Sequence, residues 1–239
     1  MSFWKAFAAV AKKIAMSIVG KEAINAIRSL PAKAREWWYG KKICVIGPTG
    51  AGKNSFYSRL RQEAVPTEHI QTRGVEKLES FDFVQTLPDG TLFKLRCKRS
   101  VNVGGEIDER DRHWWQACEG ADVVFYLIDA EKVLDENAAA AHRNRVVQDL
   151  QWLATRLGRI KEHALVHLLV NKVDAVATKQ EQLQKYVSEL ERSTKAVFGP
   201  YFKRVTGVTP TSMVDDYVFN TSFAGALESI YHKQTRKHA

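Results

Sequence analysis

The sequence predicts a three-layer α/β fold, with a mostly parallel six-stranded sheet, one antiparallel edge hairpin and an N-terminal amphipathic helix in front of it. Three observations carry that expectation. From Lys41 onward, apolar β-rich runs alternate with amphipathic helical patterns, as in a sheet covered by helices on both faces. One early pair of strand-like runs is joined around Pro88-Asp89-Gly90, a hairpin turn signal. The first strand runs directly into a glycine-rich loop that opens a helix, and such loops lie at the carboxyl ends of strands, where open α/β sheets bind ligands.

The elements follow in order. KKICVIG (41–47) reads as the first strand and KNSFYSRLRQ (53–62) as the helix after the loop. LESFDFVQTLPDGTLFKLRCK (78–98) reads as the hairpin, and a helix is expected from about Asp108 to Glu119. ADVVFYLIDA (121–130) is a buried strand. The helix over roughly 137–157 places Val146, Leu150, Leu153 and Leu157 on one face. HALVHLLVNKVD (163–174) is the next strand, 178–197 the next helix, KRVTGVTPTS (203–212) a short strand, and about 215–234 the last helix.

The 239 residues divide into a basic helical arm (1–40), one α/β domain (41–232) and a basic tail (233–239). Composition is that of a globular protein, 45% hydrophobic and 26% charged, which is enough for a sizeable core. The net charge of +9 is concentrated at the two ends: residues 1–42 hold nine Lys/Arg against Glu22 and Glu36, and the tail adds Lys233, Arg236 and Lys237. The body between them is close to neutral. A nucleic-acid-binding domain carries its basic footprint on the folded body, so no nucleic-acid partner is expected. Cys44, Cys97 and Cys118 are odd in number and lack metal-ligand spacing, which points to a reducing, cytoplasmic setting. No run is long and apolar enough for a membrane span, and Lys12 and Lys13 interrupt the apolar N-terminus that a signal peptide would need.

The loop GPTGAGKNS (47–55) carries the first piece of chemistry. Its glycines, Gly47, Gly50 and Gly52, together with Thr49 and Ala51, let backbone N–H groups converge on an anion. The helix that follows adds its positive end, and Lys53 reaches the outer phosphates. The pattern G-x-x-x-x-G-K-[S/T] is followed except at its last position. Asn54 stands where a hydroxyl normally reaches a magnesium ion. Ser55, the next residue, is turned away by about 100° and cannot take over that role, although it stays in the nucleotide-binding set.

NKVD (171–174) closes an apolar strand at the same rim. Asp174 can accept two hydrogen bonds from guanine N1–H and the exocyclic amine, while adenine offers no such donor pair and would leave the carboxylate unpaired. Asn171 can bridge the loop and the base, and the Lys172 stem can lie along the ring. Thr211, Ser212 and Met213 fall where backbone N–H contacts to the guanine oxygen are expected. The chain is thereby expected to bind GTP and GDP.

With loop, NKVD and TSM in this order, residues 43–230 resemble the Ras-like small GTPases, closest to the Arf and signal-recognition-particle-receptor β branch. Thr72-Arg73-Gly74 resembles that branch's first switch, T-x-G. Residues 102–114, NVGGEIDERDRHW, resemble its second switch, D-x-G-G-Q, followed by Arg and an aromatic. The resemblance implies a P-loop GTPase fold, with Thr72 closing over magnesium, Gly105 sensing the γ-phosphate and position 106 orienting the attacking water. Magnesium would then be held by positions 54, 72 and 102. Here those metal positions are Asn54, Thr72 and Asn102, and Glu106 stands at the water-orienting position. The three departures, at 54, 102 and 106, fall around one place, so the metal cofactor is expected to be weakened. Two outputs stay open: a GTP-hydrolysing switch, and a nucleotide-binding interaction module with little or no hydrolysis. A small-molecule kinase would need no NKVD and should show an Arg-rich lid, which is absent from the sequence.

In the arm, Phe3, Phe7, Val10, Ile14 and Ile18 share one helical face, with Lys5 and Lys12 roughly opposite. That is the pattern of an interfacial helix, so residues 1–20 are expected either to lie on an anionic membrane surface or to pack on protein. Ser2 excludes myristoylation, which needs glycine there. Of Trp114 and Trp115, one is expected to anchor the second-switch helix and the other to face a protein effector.

Overall fold

A computed structural model describes residues 41–66, 74–86, 92–97 and 100–235. The arm 1–40, Thr72, the 88–90 turn and the end of the basic tail lie outside those residues.

Four parallel strands form the centre: β1 (Ile43–Ile46), β6 (Val123–Asp129), β7 (Leu165–Asn171) and β8 (Val205–Pro210), hydrogen-bonded in the order β1-β6-β7-β8. Residues of β1, β6 and β7 are buried on both faces, as parallel strands under helices must be. Their side chains alternate between two cores. Cys44, Ile46, Val124, Tyr126, Ile128, Leu168 and Val170 face one side, and Ile43, Val45, Val123, Phe125, Leu127 and Leu169 face the other.

The first core is covered by three helices: α2 (Ile107–Cys118), α4 (Ala139–Ile160) and α5 (Gln180–Phe198). The expected stripe of Val146, Leu150, Leu153 and Leu157 is buried there. Trp114 is fully buried and meets Trp152 edge-on at 5.7 Å between ring centroids. Trp115 is half-buried against the same core, so the large exposed apolar side chain of this helix is Ile107. The second core is covered by α1 (Lys53–Arg61) and α6 (Asp216–Thr235). Phe56 of α1 packs on Phe125, Phe219 and Phe223 at 5.3, 6.2 and 5.4 Å. Burying such a ring is worth about 1.5–3 kcal/mol, and it fixes the start of α1 at the end of β1.

The sheet differs from the expected six-stranded one. Its remaining strands are β2 (Val75–Leu78), β3 (Phe81–Thr86), β4 (Leu92–Cys97) and β5 (Ser100–Val103), paired antiparallel as β2–β5 and β3–β4. Val75 pairs with Val103 and Phe81 with Cys97, so both pairs share one register. Among the described residues they are two separate antiparallel pairs in one continuous register. Together they run past the 78–98 expected from sequence because the outer segments are short and polar, with Glu76 and Lys77 exposed. β5 packs beside β1, but among the described residues the only bridge from hairpin to sheet is Lys41–Cys97. The parallel sheet therefore stops at four strands.

No helix among the described residues is long and apolar enough to cross a membrane. The three cysteines are free and buried.

Candidate functional site

Parallel register brings the sequence-derived residues to one rim. Ile46 lies beside Tyr126, Asp129 beside Asn171, and Val170 beside Pro210. The segments leaving β1, β6, β7 and β8 therefore emerge together at the carboxyl edge.

At the loop, Lys53 is 7% exposed, and its Nζ donates to the carbonyls of Gly47 (2.9 Å) and Pro48 (3.1 Å). Burial, and next the nearby Arg145 guanidinium, pull its ammonium down from the usual lysine range to about 8. A buried cation whose bonds go to neutral carbonyls suits an incoming anion. Thr49 Oγ1 is buried without a hydrogen-bond partner. Gly52 has φ +95°, and a Cβ there would stand 2.3 Å from Asn171 Nδ2, so only glycine lets the loop and the β7 end meet.

That meeting is wired by Asn171. Its Nδ2 donates to the Ala51 carbonyl (3.0 Å), and its Oδ1 accepts from Met213 N–H (3.1 Å). One buried amide thus joins the phosphate-type loop to the 211–213 segment. Arg59 of α1 adds a second tie, donating to the Met213 carbonyl and pairing with Asp216. Thr211, Ser212 and Met213 are all buried. The N–H of Thr211 is bonded to the Val170 carbonyl and that of Met213 to Asn171, so neither of those two is free for a base.

Asp174 follows the turn, and its Oδ1 is buried without a hydrogen-bond partner. Leaving such an oxygen unsatisfied costs on the order of 1–3 kcal/mol, and a ligand with paired N–H donors would remove that cost. Lys172 sits at φ +65°, a left-handed conformation uncommon outside glycine. Its Nζ donates to Asp129 (2.7 Å) and Glu131 (3.2 Å). Burial pulls its proton affinity down, but those two carboxylates outweigh it and raise the value overall.

The metal positions look different. Asn102 lies opposite Glu76 in the β2–β5 register. Its Nδ2 donates to Asn54 Oδ1 (2.9 Å) and to Glu76 Oε2 (2.9 Å). The Glu76 carboxylate fixes both amides: turning either one over would set donor against donor or oxygen against oxygen. The Asn54 oxygen, the one atom of that side chain able to hold a hard cation, is thus occupied by an amide donor. Of the magnesium positions expected at Asn54, Thr72 and Asn102, Asn54 does not fit in this arrangement because its oxygen is taken; Asn102 Oδ1 is buried and makes no hydrogen bond, and Thr72 lies outside the described residues. Among the described residues no cluster of three His, Cys, Asp or Glu could hold a metal.

Gly105 lies directly on the loop. A Cβ there would be 2.3 Å from Thr49 N and 2.7 Å from Lys53 Nζ. Three bonds hold this backbone: Trp114 Nε1–H to the Gly104 carbonyl (2.8 Å), Arg145 Nη2–H to the Gly105 carbonyl (3.0 Å), and Gly104 N–H to the Gly74 carbonyl (3.4 Å). Gly74 N–H in turn donates to Glu109 Oε2 (2.9 Å), stitching the two switch-like segments together. Glu106 is exposed at the start of α2, and its charge helps keep Lys53 protonated.

Sequence reasoning missed the cluster behind Gly105. Asp149 of α4 is fully buried; its Oδ1 accepts from Arg145 (2.8 Å) and Arg110 (3.1 Å), and its Oδ2 from the Tyr126 hydroxyl (2.9 Å). The available signal was an acid inside the apolar stripe of α4, with an arginine four residues before it. Lys132 was also missed. It belongs to the four-residue helix α3 (Ala130–Val133) and donates to the Thr49 carbonyl at 2.7 Å.

No protein-family model matches the chain, and no curated protein matches it either.

Proposed function

We propose that this chain is a guanine-nucleotide-binding protein of the Ras-like small-GTPase type, whose main output is binding, with slow or no hydrolysis of GTP to GDP. Asp174 carries the reading. Its buried Oδ1 has no partner in the protein, at the end of a strand whose Asn171 ties the base-side segment to the phosphate-type loop. Guanine supplies two adjacent donors for such a carboxylate, and Lys53 supplies the cation for the phosphates. The Asn54–Asn102–Glu76 bonds favour binding over turnover, because they occupy the position from which hydrolysis would be assisted. A second reading, a nucleotide-operated switch, is favoured by the Gly74–Glu109 bond, which couples the two candidate switch segments. The arm 1–20 is proposed to meet an anionic membrane surface, and a protein effector to read the nucleotide state.

The test is competition against a labelled guanine nucleotide. GTP and GDP should displace it, ATP should not, Asp174→Ala should erase the difference, and Lys53→Ala should weaken every nucleotide. ATP competing as well as GTP against the unaltered protein would remove the assignment of Asp174. Co-sedimentation with anionic vesicles, lost on starting the chain at Ala32 and weakened by salt, tests the arm.

A further inference from the structure

We propose that Lys132 is a second phosphate-binding cation, and that with Lys53 it holds the nucleotide's phosphates without a divalent metal ion. The inference rests on the guanine-nucleotide reading above and concerns how the charged half of that ligand is neutralised.

Two sets of observations lead to it. The first is the closed metal position: Asn54 Oδ1 accepts from Asn102 Nδ2, and Glu76, facing Asn102 across the β2–β5 ladder, prevents either amide from turning over. Asn102 Oδ1 is buried and makes no hydrogen bond, but a hard cation could use the Asn54 oxygen only by breaking the Asn54–Asn102 bond and standing beside the NH₂ group that now occupies it.

The second is the position of Lys132. Its Nζ lies 2.7 Å from the Thr49 carbonyl, and a Cβ on Gly50 would stand 2.9 Å from it, so the ammonium rests on the tightest turn of the phosphate-type loop. Its backbone is aimed by Asp129, whose Oδ1 accepts the N–H groups of Glu131 (3.0 Å) and Lys132 (3.4 Å). The other oxygen of Asp129, and Glu131 as well, are bound by Lys172. The acids nearest the loop are therefore compensated by Lys172, while Lys132 donates to a neutral carbonyl. A lysine is a compact charge on a flexible stem, and a small rotation moves the ammonium from carbonyl to phosphate oxygen. Lys53 and Lys132 repel each other across the loop, a cost that a bound anion turns into a gain.

The experiment is calorimetric titration of the full chain with GDP, ADP and inorganic pyrophosphate, in magnesium and in excess chelator. Chelation should change GDP affinity by less than about threefold. Lys132→Ala should weaken GDP and pyrophosphate about tenfold in chelator, with Lys132→Arg retaining most of the affinity. Lys132→Gln keeps the stem and should behave as Lys132→Ala, and an unchanged melting temperature shows that each variant is folded. GDP binding that collapses in chelator while still excluding ADP overturns this inference and leaves the guanine reading standing. Metal-independent, Lys132-dependent binding of GDP and ADP alike supports the inference and overturns the guanine reading. Lys132→Ala and Lys132→Gln binding as tightly as the unaltered chain in chelator removes Lys132, and no binding of any ligand removes both proposals.

Discussion

The two ends of the candidate site are built on different chemistry. At the base end, Asn171, Asp174 and the 211–213 segment are buried, wired by directional bonds and left with one unsatisfied carboxylate oxygen. At the metal end, Asn102 Nδ2 ties Asn54 to Glu76 while Asn102 Oδ1 is buried and makes no hydrogen bond, and Gly105 is held on the loop by an arginine anchored on buried Asp149. At the base end the unsatisfied acceptor is a charged carboxylate; at the metal end it is a neutral amide oxygen, and the Asn54 oxygen beside it is already taken. On the proposed reading, recognition of a base and assistance by a metal are separable, because the residues suited to each lie in different hydrogen-bond networks.

The largest effect expected from breaking that comparison is on the base end. Burial holds His167 of β7 down at about 3, and its ring bonds Thr206 and Thr209 of β8, the strands that carry Asn171 and lead into Thr211. The unfolded chain binds a proton near pH 6.5, so stability is intact above that value and is lost as pH falls from about 6.5 towards about 3, by up to ~5 kcal/mol. Acid titration followed by hydrogen exchange should show β7 and β8 losing protection, and His167→Gln should flatten the profile.

The next effect belongs to the metal end. Asp149→Ala removes the fully buried acid that partly buried Arg110 and Arg145 share and leaves the Tyr126 hydroxyl without its acceptor, which should cost about 3 kcal/mol in denaturant unfolding. Its binding signature should be confined to the phosphates, leaving the GDP-to-ADP preference unchanged. A loss of base preference would show that the two ends are coupled.

Lys53 gives a pH effect of the same sign as His167, in a higher pH window and of about 3 kcal/mol. Its value of about 8 in the folded, ligand-free protein lies below the usual lysine value of 10.5, so the unfolded chain binds the extra proton between those limits. The ligand-free protein should gain stability as pH rises from about 8 to about 10.5, and saturating GDP should suppress the gain by restoring the proton. Asp174→Ala follows at about 1–3 kcal/mol, read as a ten- to hundredfold fall in guanine preference with stability little changed.

Much of this arrangement was legible in the sequence, and the reasons differ by element. Long periodic segments gave themselves away: the 139–160 helix buries the stripe read at Val146, Leu150, Leu153 and Leu157, and each apolar run from β6 to β8 is a parallel strand. Val75–Leu78 and Ser100–Val103 did not, because four-residue strands are too short for a usable period, Glu76 and Lys77 are exposed, and each strand's partner lies more than twenty residues away. Gly47–Lys53, Asn171 and Asp174 were found because local spacing encodes their geometry. The roles of Lys132, Arg145 and Asp149 depend on long-range packing that no local pattern states. The Asn54–Asn102 bond likewise joins residues 48 positions apart. Sequence alone marked both positions as departures without revealing that they bond to each other.

That pair permits the most direct test of the two-end account. GDP affinity should be measured with magnesium and with chelator for the unaltered chain and for Asn54→Thr combined with Asn102→Asp. The account predicts less than about a threefold change on chelation for the unaltered chain, about tenfold or more for the double variant, and the same GDP-to-ADP preference in both. An unaltered chain that already loses tenfold or more in chelator would show that Asn54 serves as a metal ligand and would contradict it.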